Sequence, residues 1–260
     1  MNRLLKEFSL FLKDRGLVVA NEDAISQVPR DNYSFAKTIF KNREVLGPLL
    51  CKLAIGIKEG KNPIDYTISY RGGMAIVRHF LQDLVEKFLC NLKGRELISG
   101  WRLKSDCQYE ILVSEDEDKR RFFRSAWAEQ VFRYVIAKTV QTFCKSHNLS
   151  SRAFQNVELK QIGEDKLFTE LDLVVQIEKR FYIFEVKSGP YINIMQWARR
   201  EDSLVDGNDF VRNIVCTIYD NIPESIFGPQ LLLKLSNIET ELNKILELDF
   251  ANDTDRQERR

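Results

Sequence analysis

Glu185 and Lys187 close the run Phe181-Tyr182-Ile183-Phe184-Glu185-Val186-Lys187, in which every other residue is apolar or aromatic. Strand side chains alternate with period 2, so both charges leave the same face. Apolar residues on both faces ahead of them describe a central strand, where such groups cost several kcal/mol each unless they meet opposite charges or a metal ion. The preceding apolar run, Glu170-Leu171-Asp172-Leu173-Val174-Val175, supplies an acid. A hairpin with a short turn would put Asp172 beside Glu185. Carboxylates and an ammonium in this grouping suit hard-metal or general electrostatic chemistry.

The Asp/Glu-x-Lys spacing alone decides little, because it occurs five times, at Glu59/Lys61, Glu117/Lys119, Glu158/Lys160, Glu164/Lys166 and Glu185/Lys187. Only the last pair closes a strongly apolar strand. A third acid comes from a helix expected over 125–143, whose stripe Phe132, Val135, Ile136, Val140 and Phe143 faces a core at 100° per residue. Glu129 falls inside that stripe, while Gln130, Arg133, Lys138 and Gln141 occupy the opposite arc. A lone charge on an apolar face usually snorkels to solvent, but three acids and a lysine rising from separate buried elements favour one shared site.

Other chemistries have little material. His79 and His147 are the only histidines, and Cys51, Cys90, Cys107, Cys144 and Cys216 are widely spaced in apolar surroundings with no Cys-x-x-Cys pair. A Ser-His-Asp triad, a zinc cluster and a disulfide framework are therefore disfavoured, and the cysteines read as reduced core thiols. No uncharged run reaches the roughly 18–20 residues that span a bilayer, and the charged start Met1-Asn2-Arg3-Leu4-Leu5-Lys6-Glu7 is unlike a signal peptide. The expected location is the cytoplasm, with no membrane partner.

The elements that must carry these residues divide the chain. Helical patterns are expected over 2–15, 33–58 with a break at Pro48, and 73–93, with little strand before 105. The lobe boundary is expected between 105 and 120, giving a helical N-terminal lobe over 1–115 and a second domain over 116–260. There the pattern predicts strands over 156–162, 167–177, 181–186, 211–219 and 230–235, with helices over 125–143, 193–204 and 237–248. The whole is an α/β chain with an α-β-β-β-α-β core. Although the net charge is +1, residues 1–105 carry 18 Lys or Arg against 11 Asp or Glu, a basic excess that could face a polyanion.

A helix Glu, a strand Asp and Glu-x-Lys on the next strand resemble the PD-(D/E)XK nuclease superfamily over about residues 120–235. Trp127-Ala128-Glu129, Glu170-Leu171-Asp172 and Phe184-Glu185-Val186-Lys187-Ser188-Gly189 look most like the nuclease domains of CRISPR-associated nucleases activated by cyclic oligoadenylate. Two departures stand out. Those proteins carry a nucleotide-sensing βαβ-type domain where residues 1–105 here read as helical, so ligand activation does not carry over; and Leu171 replaces the motif's Pro.

The resemblance implies a restriction-endonuclease-like core with a mixed sheet flanked by helices, and Mg²⁺- or Mn²⁺-dependent phosphodiester hydrolysis with DNA ahead of RNA as substrate. Asp172, Glu185 and the Val186 carbonyl would ligate the metal, with Glu129 binding directly or through water. Lys187 would orient the attacking water, and Gln196 would contact the scissile phosphate region. Arg199 and Arg200 could grip phosphates farther out, while Tyr191 and Trp197 read as packing residues before base-stacking ones. A homodimer and a protein partner at the N-terminal lobe are further expectations. The rival readings are a catalytically silent nucleic-acid-binding or assembly subunit that keeps the fold, and a structural ion-pair network.

Overall fold

A computed structural model of the protein describes residues 3–20, 30–69, 75–188, 210–220 and 231–258. The chain is a mixed α/β protein that divides into two compact units, one formed by residues 1–34 with 128–260 and the other by residues 35–127.

The first unit is built on a six-stranded mixed sheet. Its elements are α1 (Arg3–Lys13), β1 (Leu17–Val19), α6 (Trp127–His147), β5 (Ser151–Gln161), β6 (Leu167–Ile177), β7 (Arg180–Lys187), β8 (Val211–Thr217), β9 (Leu231–Lys234) and α7 (Ile238–Glu258). The strand order is β1-β5-β6-β7-β8-β9. The pairs from β1 to β7 are antiparallel, and β8 and β9 continue parallel to β7. The three-strand meander, the two later strands and the helix before the tail are all present, but β5 starts five residues before the expected 156 and α7 runs ten residues past the expected 248. The helix expected over 193–204 lies outside the described residues.

Strand β7 is buried from Arg180 to Val186 because both its faces are covered. On one face Phe181 and Ile183 join Phe8, Phe11, Leu12, Leu17, Val174 and Val211 in a single apolar cluster. The rings of Phe8 and Phe181 lie 5.1 Å apart. On the other face Tyr182 donates its hydroxyl to Asp249 Oδ2 of α7 at 3.1 Å, and Arg212 donates to Asp249 Oδ1 at 2.6 Å. Phe143 of α6 packs on Phe250 of α7 with ring centroids 5.6 Å apart.

The second unit contains α3 (Arg43–Lys58), α4 (Ala75–Gly94) and a separate antiparallel sheet, order β2-β4-β3, made of β2 (Ile64–Thr67), β3 (Ile98–Ser105) and β4 (Gln108–Val113). α2 (Arg30–Lys41) runs across the division between units, and α5 (Glu117–Arg121) with a π-helical turn over Phe122–Ala126 leads to α6. The helical lobe expected over 1–115 is thus corrected in composition and extent. Its first helix and strand belong to the larger sheet, because Leu17-Val18-Val19 extend the edge of β5. The remainder is α/β, because Tyr109, Ile111 and Val113 alternate inward along β4 and draw β2 and β3 alongside. The expected break at Pro48 falls instead at Asn42, whose side-chain amide donates to the Thr38 carbonyl at 2.9 Å, while Pro48 sits inside α3. All five cysteines are free thiols.

If α1 braces the central strand, Phe8→Ala must leave a cavity against Phe181. The expected loss is roughly 3–5 kcal/mol, read as a lower urea midpoint. A loss under about 1 kcal/mol, the size of an ordinary substitution, would detach α1 from the sheet.

Candidate functional site

Hairpin β6–β7 sets the site's geometry. Its two-residue turn is Glu178-Lys179, with Glu178 in the left-handed region at φ 50° and Ile177 paired with Arg180. From there the ladder counts back to Leu173 opposite Phe184, where regular pairing ends. One step beyond, Asp172 and Glu185 come level. Here the backbone N–H of Val186 donates to Asp172 Oδ2 at 2.7 Å. A charge-assisted bond of this kind pins the carboxylate's orientation. The Glu185 side chain is only 5% exposed and forms an ion pair with the Nζ of Lys187. In the parallel β7–β8 register, Glu185 lies beside Val215, Val186 beside Cys216 and Lys187 beside Thr217.

α6 brings the third acid. The stripe residues Phe132, Val135, Ile136, Val140 and Phe143 are buried as its spacing implied. Glu129, in the first turn, is partly buried, and its Oε2 lies 3.5 Å from the guanidinium of Arg133 one turn later. Arg133 therefore does not belong to the outer arc expected for it: at 100° per residue it sits at the margin of the stripe beside Val140. Its side chain is 12% exposed, and it reaches β5, donating to Asn156 Oδ1 and, at 3.4 Å, to Gln155 Oε1. The i, i+4 relation to Glu129 was visible in the sequence, but the β5 partners were not.

Burial, opposed by the Val186 N–H and reinforced by the charge of Glu129, pushes the Asp172 carboxyl up to about 6; Lys187 and Arg133 pull the other way without cancelling it. Burial, and then the charges of Asp172 and Glu185, push the Cys216 thiol well above its usual range. These mutual effects place Glu129, Arg133, Asp172, Glu185, Lys187 and Cys216 in one electrostatic neighbourhood. Gln196, Arg199 and Arg200, with Tyr191 and Trp197, lie outside the described residues. Among the described residues, no group of three or more His, Cys, Asp and Glu side chains is placed to hold a metal ion. No described helix is long and apolar enough to cross a membrane.

The sequence matches no protein-family model and no curated protein. Among solved structures, the chain is similar to the crystal structure of protein VC1899 from Vibrio cholerae, with a TM-score of 0.54 at 16% identity. That alignment covers 93% of this chain and 61% of VC1899, so this chain spans less than two thirds of its neighbour's length. At this identity the likeness speaks for the fold alone.

The raised Asp172 carboxyl carries a sign for stability. An unfolded aspartate titrates near 3.8 and this one near 6, so the folded chain holds the extra proton in between, and stability falls as pH rises through that window. Above about pH 6 the ionised group costs on the order of 2–3 kcal/mol. In metal-free buffer Asp172→Asn is expected to raise the denaturation midpoint at neutral pH, with the gain vanishing near pH 4. A gain independent of pH would remove Asp172 as its source.

Proposed function

We propose that this chain is a metal-dependent nuclease with a restriction-endonuclease-like core, hydrolysing phosphodiester bonds in DNA ahead of RNA. The observation that carries this reading is the clasp of Asp172 on the Val186 N–H, one step past the last paired residues of the hairpin and beside the buried Glu185 with its ion-pair partner Lys187. The element order α6, β5, β6, β7, β8, with β7–β8 parallel, agrees with the first helix and the four strands of the α-β-β-β-α-β arrangement of such cores, and the helix expected between β7 and β8 lies outside the described residues.

The donors suit a hard dication. Asp172, Glu185 and the Val186 carbonyl would hold Mg²⁺ or Mn²⁺, with Glu129 binding directly or through water. Bound there, such an ion supplies Lewis acidity toward a phosphoryl oxygen and lowers the pKa of a water. The chain's own groups do the rest. Val186 fixes the rotation of the Asp172 carboxylate through its N–H. Lys187 neutralises Glu185 in the metal-free chain, and in the reaction orients the attacking water and offsets negative charge gathering on the phosphorane. Because that charge is largest in the transition state, Lys187 acts on turnover rather than on substrate binding.

An acidic site needs basic surface elsewhere to hold a polyanion. Residues 35–127 contain 17 Lys or Arg against 12 Asp or Glu. Part of that excess is already engaged, as in the pairs Arg102–Glu110, Lys104–Asp65 and Arg124–Glu117. Lys37, Lys41 and Lys52 are exposed, and they are the proposed phosphate contacts of this unit.

Labelled DNA and RNA incubated with Mg²⁺ or Mn²⁺ test the reading directly. Cleavage is expected with either metal and none with a chelator. Lys187→Ala should lower kcat by about 10²–10⁴-fold with the fold and substrate affinity kept. A chain that binds nucleic acid but never cuts would be the silent subunit instead. Neutralising Lys37, Lys41 and Lys52 should flatten the slope of log K against log[salt] by about one unit per lost phosphate contact. An unchanged slope would make residues 35–127 a surface for something other than the substrate.

A further inference from the structure

Resting on the nuclease reading, we infer that Arg133 is the positioning residue of the site: it holds the Glu129 carboxylate on its own helix and ties that helix to Asn156, the β5 residue across from Asp172.

The ladder between β5 and β6 shows why this point matters. Gln155 pairs with Leu173 and Val157 with Leu171, whereas Asn156 and Asp172 between them drop out of the pairing. Asn156 sits at φ 49°, in the left-handed region. Alternation breaks here on both strands. Phe154 and Val157 enter the same apolar cluster, as do Leu171 and Val174, although each pair differs in parity. The two strands change face together at the position that carries Asp172.

Arg133 reaches this break. Its guanidinium donates to Asn156 Oδ1 and Gln155 Oε1 while facing Glu129 Oε2 at 3.5 Å, and its charge is felt by Asp172. A planar fork with several fixed donors can bridge acceptors on two elements, and a lysine ammonium on a flexible stem cannot do so in the same geometry. Charge counting gives Arg133 a second role. Glu129, Asp172 and Glu185 against Lys187 alone would carry −2 when ionised, and Arg133 reduces this to −1. Loss of the Arg133 charge would by itself strengthen the attraction for a dication, so weaker Mn²⁺ binding in Arg133→Ala reports lost positioning of the acids and not lost charge.

The test measures Mn²⁺ affinity by calorimetry, and separately kcat and KM for cleavage, in wild type, Arg133→Lys, Arg133→Ala and Asn156→Gly, the last keeping the backbone conformation while removing the side-chain acceptor. Arg133→Lys and Arg133→Ala should each weaken Mn²⁺ binding and lower kcat by about 10- to 100-fold, with KM nearly unchanged. Asn156→Gly should reproduce part of the loss, and the Arg133→Ala/Asn156→Gly double variant should fall no further than Arg133→Ala alone. Millimolar guanidinium should restore Arg133→Ala but not Lys187→Ala. Should Arg133→Ala fail to fold, Arg133→Lys and Asn156→Gly decide. Wild-type Mn²⁺ affinity and kcat in Arg133→Lys would overturn the assignment while leaving the nuclease reading intact. A wild-type chain that neither binds Mn²⁺ nor cuts DNA or RNA would overturn that reading, and this assignment with it.

Discussion

The hydrogen bond from the Val186 N–H to Asp172 is where the sheet becomes a site. Up to Leu173 and Phe184 the hairpin obeys the ordinary ladder, its register fixed by the two-residue turn at Glu178-Lys179. One residue later a side-chain oxygen accepts from the backbone of the neighbouring strand. A one-residue slip would turn Glu185 and Lys187 to the opposite face and set a different residue against Val186, so the turn decides which side chains meet beyond the end of the ladder.

That arrangement is costly, and the rest of the unit exists to bear it. A hydrogen bond to a charged group contributes about 1.5–3 kcal/mol. Here it loses to desolvation, since the Asp172 carboxyl remains raised despite the Val186 N–H and two nearby cations. Glu185 has Lys187 and Glu129 has Arg133 as close counter-charges, so Asp172 is the acid left with the least compensation. The opposing term is apolar burial. Phe8, Phe11 and Leu12 of α1 cover one face of β7, and the Tyr182–Asp249–Arg212 network closes the other. Such burial is worth about 1.5–3 kcal/mol per large side chain, enough for the strand to carry charge at its end.

Much of this frame was legible because period-2 alternation and continuous apolar runs are local signals. β6 occupies the predicted span, and β7, β8 and β9 depart from theirs by a residue or two. The burial of the α6 stripe also followed from spacing alone. What failed was long-range. β1 is three residues long, and nothing near it announces that it will extend β5 across some 140 residues of chain. β3 buries little along its length, so its pairing with β4 is the work of the partner and not of its own pattern.

Arg133 shows the same limit at the site itself. A helical wheel assigns a direction to each side chain but no length, and a long side chain at the margin of an apolar stripe can fold back across it. Whether it does depends on an acceptor on another element. That acceptor, Asn156, is presented only because β5 and β6 leave regular pairing together, and asparagine is among the few residues that accept a left-handed backbone while offering a side-chain oxygen. The acids of the candidate site are thus readable from their own strands and helix, whereas the group that relates helix to strand is defined by an interruption in pairing. Interruptions are where a regular fold differs from a site, because only there does the backbone release side chains from strict alternation and let them converge.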